Sequence, residues 1–266
     1  MDGAIDLGLW DVALAAGFVL LAGLVSAGLR LGIGKRLGVA ALRTVAQLLL
    51  IGYVLEVVFR AKAAWMVGLV VLVMLAVAAR AAVRRPSRSV RGVYGLAFVS
   101  LVASGLVTSY CVTGLVIGAE PWWTPQYLIP LLGMILGNSL TGISLCLDDL
   151  LATFQEKRAR VEMELAHGAS RWEAARGGLQ DAVRRGMIPI INSMMVVGLV
   201  SLPGMMTGQI LAGEDPANAV RYQVVVMFML AAATALGSVG VALLTYRRLF
   251  NTRHQLLAGS IRQQES

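Results

Sequence analysis

Charge is scarce in this chain. Only 14% of its 266 residues are charged, against roughly a quarter in a soluble domain, and that shortage excludes an ordinary soluble fold in which most helices carry a polar face. Cysteine is nearly missing as well. Cys111 falls near the outer end of one predicted span and Cys146 near the inner end of the next, too far apart for a disulfide, whose Cα atoms lie within ~7 Å. Neither has metal-motif spacing, so both read as packing residues. Histidine is confined to His167 and His254, and lysine to Lys35, Lys62 and Lys157, all in predicted loops. A retinal pigment, which needs an intramembrane lysine, is thereby disfavoured. No phosphate-cradling loop is present: Gly32-Ile-Gly34-Lys35 lacks the Gly-x4-Gly-Lys-Ser/Thr spacing. The acidic start (Asp2, Asp6) lacks the basic region of a cleaved signal peptide. Strand alternation and internal repeats are missing, as are a His/Asp cluster, a metal-binding helix motif and a nucleophile elbow. An enzyme is the least supported class.

What the chain has is apolar length. Hydrophobic residues make up 58% of it, and runs near 9–29, 38–59, 64–83, 93–117, 127–147, 188–211 and 222–246 reach the ~20 residues that cross a bilayer, about seven spans in all. The net charge of +8 is placed in alternate loops. Arg30, Lys35 and Arg36 follow span one; Arg80, Arg84, Arg85, Arg88 and Arg91 lie between spans three and four. Lys157, Arg158, Arg160, Arg171, Arg176, Arg184 and Arg185 crowd the segment after span five, and Arg247, Arg248, Arg253 and Arg262 follow span seven. The remaining loops hold only Arg60, Lys62 and Arg221 beside acidic Glu120, Glu214 and Asp215. The positive-inside rule puts every strongly basic loop in the cytoplasm, the N-terminus outside and the C-terminus inside. The expected fold is all-α: a polytopic transmembrane bundle forming one domain over 1–266. Basic stripes interleaved with aromatics are absent, so nucleic acid is not an expected partner.

The longest polar stretch, 148–186, is the one large cytoplasmic feature. Val161, Leu165, Trp172, Ala175, Leu179 and Val183 recur at helical spacing, but Gly168 interrupts at a good C-capping position. Ser170 then opens a second helix, with Glu173 three residues on completing a capping box. Helix, tight turn, helix results, with His167-Gly168-Ala169-Ser170 at the corner. Pro189 follows near the start of span six, in a first turn that tolerates it. On composition the segment is equally a connector lying on the membrane surface or a docking elbow for a cytoplasmic partner.

The run Glu164-Leu-Ala-His-Gly-Ala-Ser-Arg-Trp-Glu-Ala-Ala175 resembles the coupling loop of ABC-transporter permeases, in which an acidic residue and alanine precede a Gly-Ala pair and a proline follows. Glu164, Ala166, Gly168, Ala169 and Pro189 fill those places; Leu165 replaces the first alanine. Arg43-Thr-Val-Ala-Gln-Leu-Leu-Leu-Ile-Gly-Tyr-Val-Leu55, Gly137-Asn-Ser-Leu-Thr-Gly142, Met187-Ile-Pro-Ile-Ile-Asn192 and Gly198-Leu-Val-Ser-Leu-Pro-Gly-Met-Met-Thr-Gly-Gln-Ile-Leu-Ala-Gly213 narrow the resemblance to the FetB family. Those are bacterial permeases proposed to export iron, with plant relatives linked to aluminium tolerance. The resemblance implies a bacterial inner-membrane permease that pairs with a second copy of itself and with a separate cytoplasmic ABC ATPase. ATP and Mg would be bound by that ATPase and no cofactor by this chain. It further implies that Glu164, Ala166, His167, Gly168, Ala169, Ser170, Trp172 and Glu173 seat in the ATPase.

Polar residues inside a membrane are costly, so each is a candidate for a pathway or a helix contact. Span two carries Arg43, Gln47 and Glu56; the two charges snorkel from opposite ends, and Gln47 either lines a cavity or bonds a neighbouring helix. Span five offers Gly133-x-x-x-Gly137 and Asn138, Ser139, Thr141, Gly142 and Ser144, a pattern suited to close helix packing, with Asn138 a pathway candidate. Asp148 and Asp149 end that span as solvated charge. Span six contains Pro203-Gly204, an expected break of the sort that marks a transporter's site or gate. Asn192, Met194, Met195, Met205, Met206 and Gln209 cluster around it. Methionine packs adaptably; as a ligand set it favours soft ions such as Cu(I) over iron or aluminium. No ligand set names the metal. The chain is expected to be a permease without enzymatic activity of its own, and the rival reading is a seven-span receptor or sensor with no ATPase partner.

Overall fold

A computed structural model describes residues 8–61, 63–251, 253 and 255–263; Asp2, Asp6, Lys62 and His254 lie outside the described residues. In chain order the helices are α1 (Leu9–Gly28), α2 (Gly34–Ala61), α3 (Ala64–Arg84), α4 (Val93–Tyr110) and α5 (Pro125–Glu156), then α6 (Arg158–Ala166), α7 (Arg171–Val196), α8 (Gly204–Leu211) and α9 (Pro216–Leu249). A π-helical turn, Cys111–Val116, prolongs α4. Among the described residues six helices are long and apolar enough to cross a membrane: α1, α2, α3, α4 with its π turn, α5 and α9. The predicted sixth span is divided between the end of α7 and α8.

α5 is the axis of the fold and packs against α3, α4, α7 and α9. Leu132, Leu147, Leu150, Leu151 and Phe154 along it are fully buried, which gives one continuous core with Ala79, Leu101, Val241 and Leu249. A second, smaller core gathers Leu131 and Ile135 with Ile190, Met227, Met229 and Ala233. By contrast α1 and α2 lie mainly against each other, and most of their apolar side chains face outward, as befits surfaces bathed in lipid.

Small residues let three helices meet at backbone distance. A Cβ on Gly142 of α5 would stand 2.6 Å from Thr234 Cγ2 and 2.9 Å from the Gly186 carbonyl oxygen, and one on Gly186 of α7 would stand 2.7 Å from the Gly142 oxygen. Gly137, by contrast, has open space around it, and Gly133 meets only the end of Met74 at 3.4 Å. The close-packing expectation for α5 therefore holds one turn later than the Gly-x-x-x-Gly pattern placed it. On α4 the buried Ser104 and Thr108 donate to the carbonyls of Ser100 and Ser104 at 2.7 and 2.6 Å, whereas the buried hydroxyls of Ser139 and Ser238 have no hydrogen-bond partner among the described residues. Ser144 also reaches across to the Ala82 carbonyl at 2.8 Å.

Three expectations need correction. The fold is not wholly helical: β1 (Arg88–Val90) pairs antiparallel with β2 (Ile261–Gln263), bringing the C-terminal tail back beneath the α3–α4 loop. Three-residue strands with one partner far along the chain leave no alternation to read. Asp148 and Asp149 are not simply solvated, because α5 continues to Glu156 and carries them along its side. Asp148 accepts bonds from the Ser87 amide and hydroxyl, both at 2.8 Å, and Asp149 faces Arg185 at 3.5 Å. Finally, Pro189 does not open a helix; it lies inside α7, which runs unbroken from Arg171 to Val196. A proline there leaves one carbonyl without its donor, a loss the packed flanks of α7 tolerate.

Candidate functional site

The corner between α6 and α7 is built as the local chemistry dictates. Gly168 adopts φ +93°, a conformation that costs a side chain dearly. Around it the His167 and Ala169 amides donate back to the carbonyls of Met163 and Glu164 at 3.0 and 3.1 Å, closing α6. The capping box opens α7: the Glu173 amide donates to Ser170 Oγ at 3.3 Å, and the Ser170 amide to Glu173 Oε2 at 2.8 Å. The Ser170 hydroxyl donates to the same oxygen at 2.7 Å. These bonds from Ser170 hold the Glu173 carboxyl below its ordinary range.

The corner projects while its roots are anchored. Ala166, His167 and Gly168 are exposed, as are Met163 and Trp172. Beneath them Val161, Ala174, Ala175 and Leu179 are buried in the main core. Trp172 meets Tyr246 edge to face at 5.8 Å, and Phe154 meets Phe250 likewise at 5.5 Å. A polar hollow of about 400 Å³ opens between α5, α6 and α7, lined by Lys157, Arg160, Glu164 and Arg176 among others. Arg160 and Glu164 pair across one turn at 2.9 Å.

From this corner α7 runs, at 1.5 Å per residue, about 39 Å to the break in the predicted sixth span. The break begins earlier than expected. The helix ends at Val196, residues 197–203 form a tight turn with Gly198 at φ +85°, and Pro203 stands at the N-cap of α8 instead of inside a helix. The Gly198 amide donates to the Ser201 carbonyl at 2.9 Å. Leu199 is 91% exposed at the tip. Glycine in the left-handed region ends the helix, and the proline permits the next to start.

Of the predicted pathway residues, the structure brings Met194, Met205, Met206 and Gln209 together beside Pro203 and Gly204. Met194 and Met206 line an apolar cavity of about 340 Å³ with Met227 and Gln223. Met205 and Gln209 line a second cavity of about 390 Å³ with Met134 and Glu214. Asn192 and Met195 lie nearby but face outward. Gln47 and Glu56 are exposed on α2, away from this group, and Glu56 pairs with Arg60. Asn138 donates to the Met134 carbonyl of its own helix at 3.0 Å. Gln223 is the residue the sequence reading passed over. It is buried, and its Oε1 has no hydrogen-bond partner among the described residues; the signal is a carboxamide in the first turns of an apolar span. Among the described residues no group of three or more His, Cys, Asp or Glu side chains could hold a metal.

Residues 9–250 match the family described as "Uncharacterised protein family (UPF0014)". The chain is 41% identical over 214 residues to "UPF0014 membrane protein slr1647" of Synechocystis, covering 80% of this chain and 83% of that protein. It is 32% identical over 253 residues to the "Probable iron export permease protein FetB" of Escherichia coli, covering 95% and 96%. To "Protein ALUMINUM SENSITIVE 3" of Arabidopsis thaliana it is 31% identical over 249 residues, covering 94% and 90%. No solved structure matches. The chain belongs to this family of membrane proteins, FetB among its relatives.

Proposed function

We propose that the chain is the membrane-spanning permease subunit of an ABC transporter that exports a metal ion such as iron. In this reading α7 and α8 together make the sixth of seven crossings of a bacterial inner membrane, and the basic ends face the cytoplasm. Two copies form the permease, and two copies of a separate ATPase, with ATP and Mg, supply the work.

The observation that carries the reading is α7 itself: one helix joins the exposed corner to the break. Displacement of the corner by a closing ATPase is carried along one continuous helix to residues 194–196, at the edge of the break, without passing through a loop. Where α7 crosses α5, Gly142 and Gly186 touch backbone to backbone, with Ser238 of α9 beside them, a close contact about which the rod turns. Likeness to FetB over 95% of the chain supports the class of cargo, and the missing nucleotide-binding motif supports a separate motor.

Site-specific cross-linking tests the docking. A cysteine replacing exposed His167, on a Cys111→Ser background, should cross-link to a co-expressed ATPase and be protected from maleimide by it. An ATPase that binds elsewhere, leaving position 167 fully reactive, contradicts the proposed elbow. A chain that binds no ATPase at all supports the receptor reading instead.

A further inference from the structure

The cavity between α5, α8 and α9 carries chemistry that the sequence reading did not assign. One wall is α5 near Pro130, another is α8 at Met205 and Gln209, and the third is α9 at Tyr222 and Val226. Its rim and its floor differ. At the rim stand the oxygens of Glu214, Asn218 and Gln126, all exposed to solvent. Pro130 also lines the space; lacking an N–H, it removes the donor that the Gln126 carbonyl would otherwise meet.

The floor is set by Gln209 and two thioethers, Met134 and Met205. Gln209 Oε1 is hidden from solvent and has no hydrogen-bond partner among the described residues. A buried acceptor without a donor is unfavourable unless something else satisfies it, and a cation does so directly. Glu214 makes no ion pair among the described residues, so its charge is available to whatever enters. The neighbouring Asp215 is occupied as the N-cap of α9, accepting from the Asn218 amide at 3.1 Å.

We infer that this cavity binds a divalent transition-metal cation, with Glu214 drawing the ion in and Gln209, Met134 and Met205 receiving it at the floor. The inference rests on the permease reading for its purpose and names the class of cargo more narrowly. A single carboxylate with carboxamide oxygens and thioethers is a mixed donor set. Hard ions such as Al³⁺ and Mg²⁺ gain little from thioether sulfur, while Cu(I) prefers sulfur and has no use for the oxygen rim. An ion of intermediate softness, of which Fe²⁺ is one, is served by both halves. The cavity has room for such an ion with part of its water shell. It lies toward the end of α5 away from the elbow: from Met134 to Phe154 at the corner's root is about 30 Å along the helix.

The test is direct binding to the purified chain in lipid nanodiscs, without any ATPase. Fe²⁺ under anaerobic conditions, Mn²⁺, Mg²⁺, Al³⁺ and Cu(I) are titrated in competition with a fluorescent chelator. Fe²⁺ should bind the wild-type chain more tightly than Mg²⁺ or Al³⁺. Glu214→Gln and Gln209→Leu should each weaken it by about tenfold or more, and Met205→Leu should weaken Fe²⁺ more than Mn²⁺. Each variant's melting temperature is measured alongside, so that lost binding is not mistaken for lost folding. Absence of Fe²⁺ binding, or binding that survives both Glu214→Gln and Gln209→Leu, overturns the inference. Binding by a chain that recruits no ATPase would contradict the permease reading and leave this site standing. ATPase stimulation that both substitutions leave intact would do the reverse.

Discussion

Replacing Gly186 with alanine probes the contact about which α7 is proposed to turn. The new Cβ would meet the Gly142 carbonyl oxygen at 2.7 Å, Ser238 Oγ at 2.9 Å and Cys146 Cβ at 3.1 Å. Comfortable contact needs about 3.5 Å, and two of these neighbours are backbone or β-carbon atoms that cannot swing away. The helices must therefore part by several tenths of an ångström, an overpacking that costs about 1–3 kcal/mol. Alanine also favours the helix by about 0.5–1 kcal/mol, which partly masks the effect. Gly177 supplies the control. It lies in the same helix with nothing within 4 Å of its would-be Cβ, so Gly177→Ala gains the same helical preference without the clash. The preference cancels in the comparison, and Gly186→Ala should be less stable than Gly177→Ala by about 1–3 kcal/mol. Denaturation of both variants in lipid-like micelles measures it. Equal stabilities would refute the claim that α5 and α7 touch through their backbones here.

Acidification should loosen the start of α7. Ser170 holds the Glu173 carboxyl below its ordinary range, so the cap contributes fully above the unfolded carboxyl's value and is lost as pH falls through the lower folded one. Amide exchange over 171–174 should accelerate in that acidic window, and Glu173→Gln should abolish the pH dependence. Ser170→Ala should destabilise the same turn at neutral pH by about 0.5–2 kcal/mol, seen as faster exchange confined to those amides. At the other junction, Ile261 is buried opposite Val90. Ile261→Ser gives up about 1.5–3 kcal/mol of burial and should expose 250–263 to proteolysis, as should Val90→Ser. A tail equally resistant in both variants would show that the two-strand ladder does not hold it.

Local signals survived the passage from sequence to structure, and long-range ones did not. The Ser170–Glu173 box and the glycine at 168 act within a few residues, and the corner stands where they place it. Six of the seven apolar runs became long helices because length and hydropathy alone decide them. Pro189 misled, since a proline marks a helix start only when nothing outside the helix supports it; here Gly186 and Ile190 are both buried against other helices. Pro203 is the expected break, yet the chain turns first at Gly198, where a left-handed residue ends α7. Asp148 found Ser87 and Asp149 found Arg185, partners no spacing rule could announce. The methionines around the break are readable as a cluster, but their sorting into two cavities, one lined by Gln223 and one by Gln209, depends on how α8 folds against α9.

The most direct measurement is Fe²⁺-dependent ATPase activity of the chain reconstituted with its proposed ATPase partner, with Gly168 replaced by tryptophan or by asparagine. The would-be Cβ of Gly168 meets nothing within 4 Å, so the membrane fold loses only the left-handed backbone preference, about 1–2 kcal/mol. Asparagine tolerates that conformation and adds little bulk. The account predicts that Gly168→Trp inserts into the membrane and folds but loses Fe²⁺ stimulation, while Gly168→Asn keeps most of it. Full stimulation with tryptophan at the corner would contradict the elbow as the route by which the motor drives this protein.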